Sequence, residues 1–232
     1  MPSGRAVMGP DPVIAAGIGV RLGRGFAVRA ASFRLGAHEP GRSVLGIQIA
    51  HPAEATAIID LLAGVARPAY GELRVLGHDM ATVRGRAAVR RRVGVARRSV
   101  RSLPWLRVRG LVAHGARLAT RHGEPDRQLL AAAILDELGL TPWADVPLRA
   151  VPDAVGRRAR LAAAAAHQPE LLLLDGLLDG LELPDITTLA GAIRTLSQDS
   201  GVVLTGCDAE ALALTCDEVL VLADGVVVPA GR

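Results

Sequence analysis

The chain has 232 residues and a net charge of +4, and all 27 of its basic residues are arginine. Half of the residues are hydrophobic but only 2% are aromatic, which suits one large α/β domain with a core of Ala, Val, Leu and Ile. No run approaches the roughly 20 apolar residues of a spanning helix, no secretion signal is read, and two cysteines, Cys207 and Cys216, imply a reduced, cytoplasmic setting.

Residues 1–11 are rich in Gly and Pro and predict a disordered terminus ahead of a single domain over 12–232. Val13–Val20 and Phe26–Leu35 read as strands joined by a glycine turn around Gly23 and Gly25. Ser43–Ile49 is a short apolar strand, and Glu54–Ala63 a helix stopped by Gly64 with Pro68 beyond it. Glu72–Leu76 predicts a strand, Thr82–Arg92 a basic helix and Val93–Ala96 another strand. A helical subdomain is expected over about 100–160, punctuated by Gly123–Pro125, Gly139–Trp143 and Pro147–Asp153. Leu171–Leu174, ending in Asp175, has the continuous apolar character of a strand buried on both faces. A helix follows Pro184 with Leu189, Ile193 and Leu196 on one face. Val202–Thr205 predicts a second buried strand, and Val219–Leu222 with Val226–Val228 a hairpin around Asp224–Gly225. Strands alternating with helices at both ends of a helical block imply a mostly parallel sheet with some early antiparallel strands.

Three stretches go further. Asp60–Asp79 (DLLAGVARPAYGELRVLGHD), His167–Leu181 (HQPELLLLDGLLDGL) and Cys216–Gly231 (CDEVLVLADGVVVPAG) follow one another in an order and spacing that resemble the nucleotide-binding subunit of ATP-binding cassette transporters. The resemblance runs from about Val13 to the C-terminus. It implies a P-loop NTPase-like (RecA-like), mostly parallel sheet with an antiparallel β-subdomain and an inserted helical subdomain. It further implies Mg-ATP as ligand, a membrane permease as partner, a cassette partner or homodimer, and a place on the inner face of the cell membrane.

Position by position, the chemistry that the resemblance implies is missing. The phosphate loop falls on Ile49–Ala57 (IAHPAEATA). Such a loop needs glycines, so that backbone N–H groups converge on phosphate, and a lysine for the β and γ groups. Here Ile49, Pro52 and Glu54 replace the glycines and Ala55 replaces the lysine. Pro52 has no N–H to give, and Glu54 sets a carboxylate where phosphate would sit, able to cap the helix itself. Any residual nucleotide contact rests on Pro52, Ala53, Glu54, Ala55, Thr56 and Ala57. Magnesium, if bound, falls to Thr56 and Asp175. Gly176 stands at the general-base position, where glycine has no base to offer, and Asp179 and Glu182 fall in the loop used for dimer contacts. Cys207 stands at the switch histidine, Arg98 at the coupling glutamine, and Leu22 near the adenine-stacking aromatic. The cross-dimer signature falls on Val151–Val155 (VPDAV), where Asp153 would cap the following helix.

Each lost charge-assisted hydrogen bond is worth about 1.5–3 kcal/mol, and roughly 1.4 kcal/mol is tenfold in affinity. The expectation is therefore a degenerate subunit with no catalytic residue and no required cofactor, docking on a permease or an active ATPase. Because phosphate loop and signature are both altered, a partner would have to bind nucleotide largely by itself. A divergent ATPase using Thr56, Asp175 and another base stays open. So does a nucleic-acid module, because Arg84–Arg109 holds ten arginines and no acid. Only Trp105 interleaves them, so the segment also suits a solvated face or contact with a membrane subunit through Arg98, Trp105 and Arg107. The six histidines show no metal-ligand spacing, and both cysteines, beside buried strands, read as core thiols.

Overall fold

The long apolar run at Leu171–Leu174 sets the architecture. In the computed structural model, which describes residues 11–22, 25–36, 44–98, 104–118, 123–223 and 225–229, it lies in a strand with every residue buried. Side chains alternate across a strand with period two, so Leu171 and Leu173 enter one core while Leu172 and Leu174 enter the other.

The strands are β1 (Val13–Leu22), β2 (Gly25–Leu35), β3 (Val44–Ile49), β4 (Tyr70–Val75), β5 (His78–Asp79), β6 (Val93–Arg97), β7 (Leu171–Asp175), β8 (Gly201–Gly206), β9 (Glu218–Ala223) and β10 (Val226–Pro229). The helices are α1 (Pro52–Leu62), α2 (Val83–Val89), α3 (Val108–Ala116), α4 (Glu124–Glu137), α5 (Asp153–Ala165), α6 (Leu183–Leu196) and α7 (Ala209–Thr215), with 3-10 turns at Thr141–Trp143 and Leu148–Ala150. A six-stranded sheet runs β10-β9-β3-β8-β7-β6, parallel except for the β9–β10 hairpin. A four-stranded antiparallel sheet, β2-β1-β4-β5, packs with α1 over one face. Helices α3 to α7 contribute to the core on the other face. The parallel sheet, antiparallel subdomain and helical insertion are those expected.

Several boundaries differ for physical reasons. Helix α1 starts at Pro52, two residues before the expected Glu54, because proline fits a first helical turn. Helix α2 stops at Val89 instead of Arg92, where the backbone tightens into a turn, Arg92 N–H donating to the Val89 carbonyl at 2.8 Å, and enters β6 at Val93. Helix α7 and strand β5 were not expected. Asp208 caps α7 by accepting from the N–H groups of Glu210 and Ala211, each at 3.0 Å. The expected disordered terminus over 1–10 and the turn at 23–24 lie outside the described residues; Asp11, the last of that terminus, pairs with Arg34 at 3.2 Å.

Two glycines let the helical subdomain approach the core. A Cβ on Gly94 of β6 would strike the Ala164 carbonyl of α5, and one on Gly115 of α3 would strike the Ala163 carbonyl. Gly191 of α6, by contrast, faces open solvent with nothing near its missing side chain. Gly94→Ala is therefore expected to lower unfolding stability by about 1–3 kcal/mol. Gly191→Ala should raise it by about 0.5–1 kcal/mol, both read from urea midpoints.

Candidate functional site: a remodelled cleft at the carboxyl edge of the sheet

In open α/β sheets, ligands bind beyond the carboxyl ends of the parallel strands. Here β3, β6, β7 and β8 end together around a cleft of about 300 Å³. Of the residues expected at the nucleotide site, Pro52, Ala55, Thr56 and Asp175 line it, and so does Arg98, expected as a partner contact. Ala53 and Glu54 do not, and Ala57 is buried in the core. Trp105, 63% exposed, and Arg107, which pairs with Asp145 at 3.1 Å, sit away from the cleft beside α3. The side chain of Leu22 lies outside the described residues.

The early start of α1 decides what the loop can bind. The N–H groups of Glu54 and Ala55 both donate to the His51 carbonyl, at 3.0 and 3.3 Å. These are among the donors a phosphate would need, and the helix has spent them on its own first turn. Two N–H groups at the expected phosphate loop are thus engaged within the first turn of α1. Ala55 is 4% exposed and brings only a methyl group.

At the metal position, the Thr56 hydroxyl donates to Asp175 Oδ2 at 2.9 Å. Burial pushes the Asp175 carboxyl above its ordinary value, while the Thr56 hydrogen bond and the charge of Arg97 pull it back. Arg97 was missed by the sequence reading. Its guanidinium bonds Asp60 of α1 and lies 4.0 Å from Asp175 Oδ2. No feature of the AlaArgArg triplet marks the first arginine over the second.

Arg157, also missed, joins the signature position to the floor of the cleft. It is 2% exposed. Its Nη1 donates to the carbonyls of Leu177 and Asp179, at 3.0 and 2.7 Å, and its Nε to Asp153 at 2.9 Å. Asp153 therefore does not cap α5 as expected; it is the first helical residue, paired to Arg157, whose hydrogen bond holds its carboxyl below the ordinary value. Asp179 is also turned inward, accepting from the Cys207 N–H at 2.9 Å. Cys216 is a buried thiol pushed up to about 12 by its burial, as expected of a core cysteine. Cys207 is exposed, which corrects the expectation of a core thiol there.

A nucleoside triphosphate with magnesium is what this fold implies, and the donors present do not fit it. The threonine and aspartate remain, but the lysine is gone and N–H groups of the loop are turned inward.

Residues 55–178 match the ABC transporter family. Relatives include the aliphatic sulfonates import ATP-binding proteins of Paracoccus denitrificans and Streptomyces avermitilis. Both are 33% identical, over 67% of this chain, covering 62% and 58% of those proteins. Among solved structures, cbiO1 of Clostridium perfringens, part of the ABC transporter complex cbiONQ, superimposes with a TM-score of 0.79. It is 15% identical, covering 94% of this chain and 87% of that one. The chain belongs to the ABC transporter family and carries its ATP-binding domain fold. It spans 58–66% of the length of the first curated relatives it matches.

Asp175→Asn keeps an oxygen for the Thr56 hydroxyl and removes the buried charge. A carboxyl raised in the folded state costs stability as pH rises from its unfolded value through its folded one. The variant is therefore expected to unfold at higher temperature than the parent at pH 7, with the gain vanishing below the unfolded carboxylate range; calorimetric scans across pH check both. Arg157→Met leaves two carbonyls without their donor and should cost about 1–3 kcal/mol for each, measured by urea unfolding.

Proposed function

We propose that this chain is a cassette subunit that has lost nucleotide hydrolysis and works by docking on a membrane permease, an active cassette partner, or both. The observation that carries this is the first turn of α1: the Glu54 and Ala55 N–H groups go to the His51 carbonyl, and Ala55 stands in place of the lysine. Each missing charge-assisted contact takes about 1.5–3 kcal/mol from phosphate binding, so a few of them remove a micromolar affinity. Gly176 offers no base, and loss of a general base costs a further ~10²–10⁴-fold in rate.

Among the described residues no helix is long and apolar enough to cross a membrane, so membrane work would need a partner. The import functions named for the sulfonate relatives support an importer as the setting. Arg98, Trp105 and Arg107 are the proposed permease contacts, between the end of β6 and the start of α3. The nucleic-acid alternative loses ground because most arginines of that segment are engaged within the chain. Arg86 bonds the Met80 and Ala81 carbonyls, Arg90 Gly64, Arg92 Glu170, Arg97 Asp60, and Arg107 and Arg109 pair with Asp145.

Calorimetric titration with Mg-ATP should give no heat up to millimolar concentration, and affinity co-purification should return a permease subunit. Micromolar binding, with phosphate release abolished by Asp175→Ala, would replace this reading with a divergent ATPase held by Thr56 and Asp175.

A further inference from the structure

A second cleft, of about 370 Å³, lies where three helices end. The last turns of α4 and α5 and the chain at the end of α6 form its walls. Ile134, Ala165, Ala166 and Pro169 of the lining are buried, and Leu130 and Leu196 are half-buried. The buried Ser200 hydroxyl donates to the Pro169 carbonyl at 2.7 Å, so it asks nothing of a ligand. A concave, mostly apolar space of this size suits an aliphatic or small aromatic body.

The charge around that space is one-sided. Glu137 lines it from α4 and Asp199 from the segment after α6, and both are exposed. Among the described residues neither side chain has a hydrogen-bond or ion-pair partner, and no basic side chain lines the cleft. The backbone adds to the imbalance. A helix C-terminus carries partial negative charge on its last carbonyls, which Lys, Arg or His in the final turn ordinarily offset. In a chain with 27 arginines, α4 and α5 have no basic residue in that turn. Arg194 in the last turn of α6 pairs with Asp217 at 3.6 Å and does not line the cleft. Three helix ends and two carboxylates thus converge on a cleft whose lining supplies no counter-charge. A cation with an apolar body answers both features. The body displaces water from the aliphatic walls, while the charged head stays at the exposed carboxylates and keeps much of its hydration. An anion would be repelled, and a neutral apolar molecule would leave the charge unanswered.

We propose that this cleft binds a small organic cation, an ammonium or guanidinium group on an aliphatic or aromatic body, with Glu137 and Asp199 holding the charged group. The ligand touches α4 of the helical subdomain and the end of α6 together, so it ties the insertion to the core. None of its contacts lines the cleft at Thr56 and Asp175, so this site is independent of whether Mg-ATP binds.

The test titrates the full chain with hexylammonium, hexanol and hexanoate by ligand-observed NMR. Hexylammonium should bind about fivefold more tightly than hexanol or better, as two exposed ion pairs allow, and hexanoate should not bind. Added salt should narrow the gap. Glu137→Gln combined with Asp199→Asn, both at exposed positions, should lower hexylammonium to the affinity of hexanol while circular dichroism reports an unchanged fold. Ala133→Arg, which sets a cation into the cleft from an exposed position of α4, should abolish hexylammonium binding. Equal affinity for hexylammonium and hexanol, hexanoate binding as tight as either, no binding at millimolar concentration, or a preference that survives the double substitution would overturn the proposal. Full displacement of hexylammonium by an equimolar peptide of Lys and Leu would overturn the small-molecule occupant in favour of a basic segment of a partner.

Discussion

The strand Leu171–Asp175 must be hidden from water on both faces, and the rest of the molecule is arranged to do so. Its leucines divide between two cores, one under α1 and the antiparallel sheet, the other under the helical block. With β6 and β8 beside it in parallel and β3 beyond β8, the carboxyl ends of the strands come together at one edge. The position of the cleft is thus a consequence of burial, and it would exist whatever residues lined it. Scaffold and cleft lining thus draw on different residues: the buried leucines fix where the cleft lies, and the side chains at the strand ends set its chemistry.

The groups that line the cleft are engaged with one another by ordinary interactions. A helix that starts two residues early consumes its own N–H groups. A threonine and an aspartate that would share a metal bond each other directly. Arg97 bridges toward Asp175 from Asp60, drawing α1, β6 and β7 together. Each contact is modest alone, but all three act where a phosphate or cation would need room and free donors.

The fold was largely legible because burial writes itself into sequence as periodicity. The LeuLeuLeuLeuAsp run, the glycine after α1 and the AspGly turn between β9 and β10 each have one physical meaning at their positions. By register from the resembling stretches, Pro52, Ala55, Thr56 and Asp175 are expected at one site, and they line one cleft. The side-chain partners were not legible. Asp153 looks like a helix cap in sequence and is claimed instead by Arg157 one turn later; Asp179 looks like a surface residue and is turned to the Cys207 N–H. Such choices depend on which of several arginines comes within reach after folding, and a chain this rich in one cation offers no local sign of it. Helix α7 escaped for a smaller reason: seven residues are too few to establish a period, and its only signal was the Asp208 cap.

The meeting of α3, α5 and β6 at Gly115 and Gly94 has a consequence for how this sequence can change. Backbone touches backbone there, with no side chain between to be trimmed or enlarged. Elsewhere a shift in volume at one position can be absorbed by its neighbours, since cores accept exchange of apolar groups if total volume is kept. At these two sites there is nothing to exchange. A chain this rich in alanine and arginine can accept exchange over most of its surface and much of its core. It cannot do so at this seam, where even the smallest step, from hydrogen to methyl, pushes the helical block off the sheet.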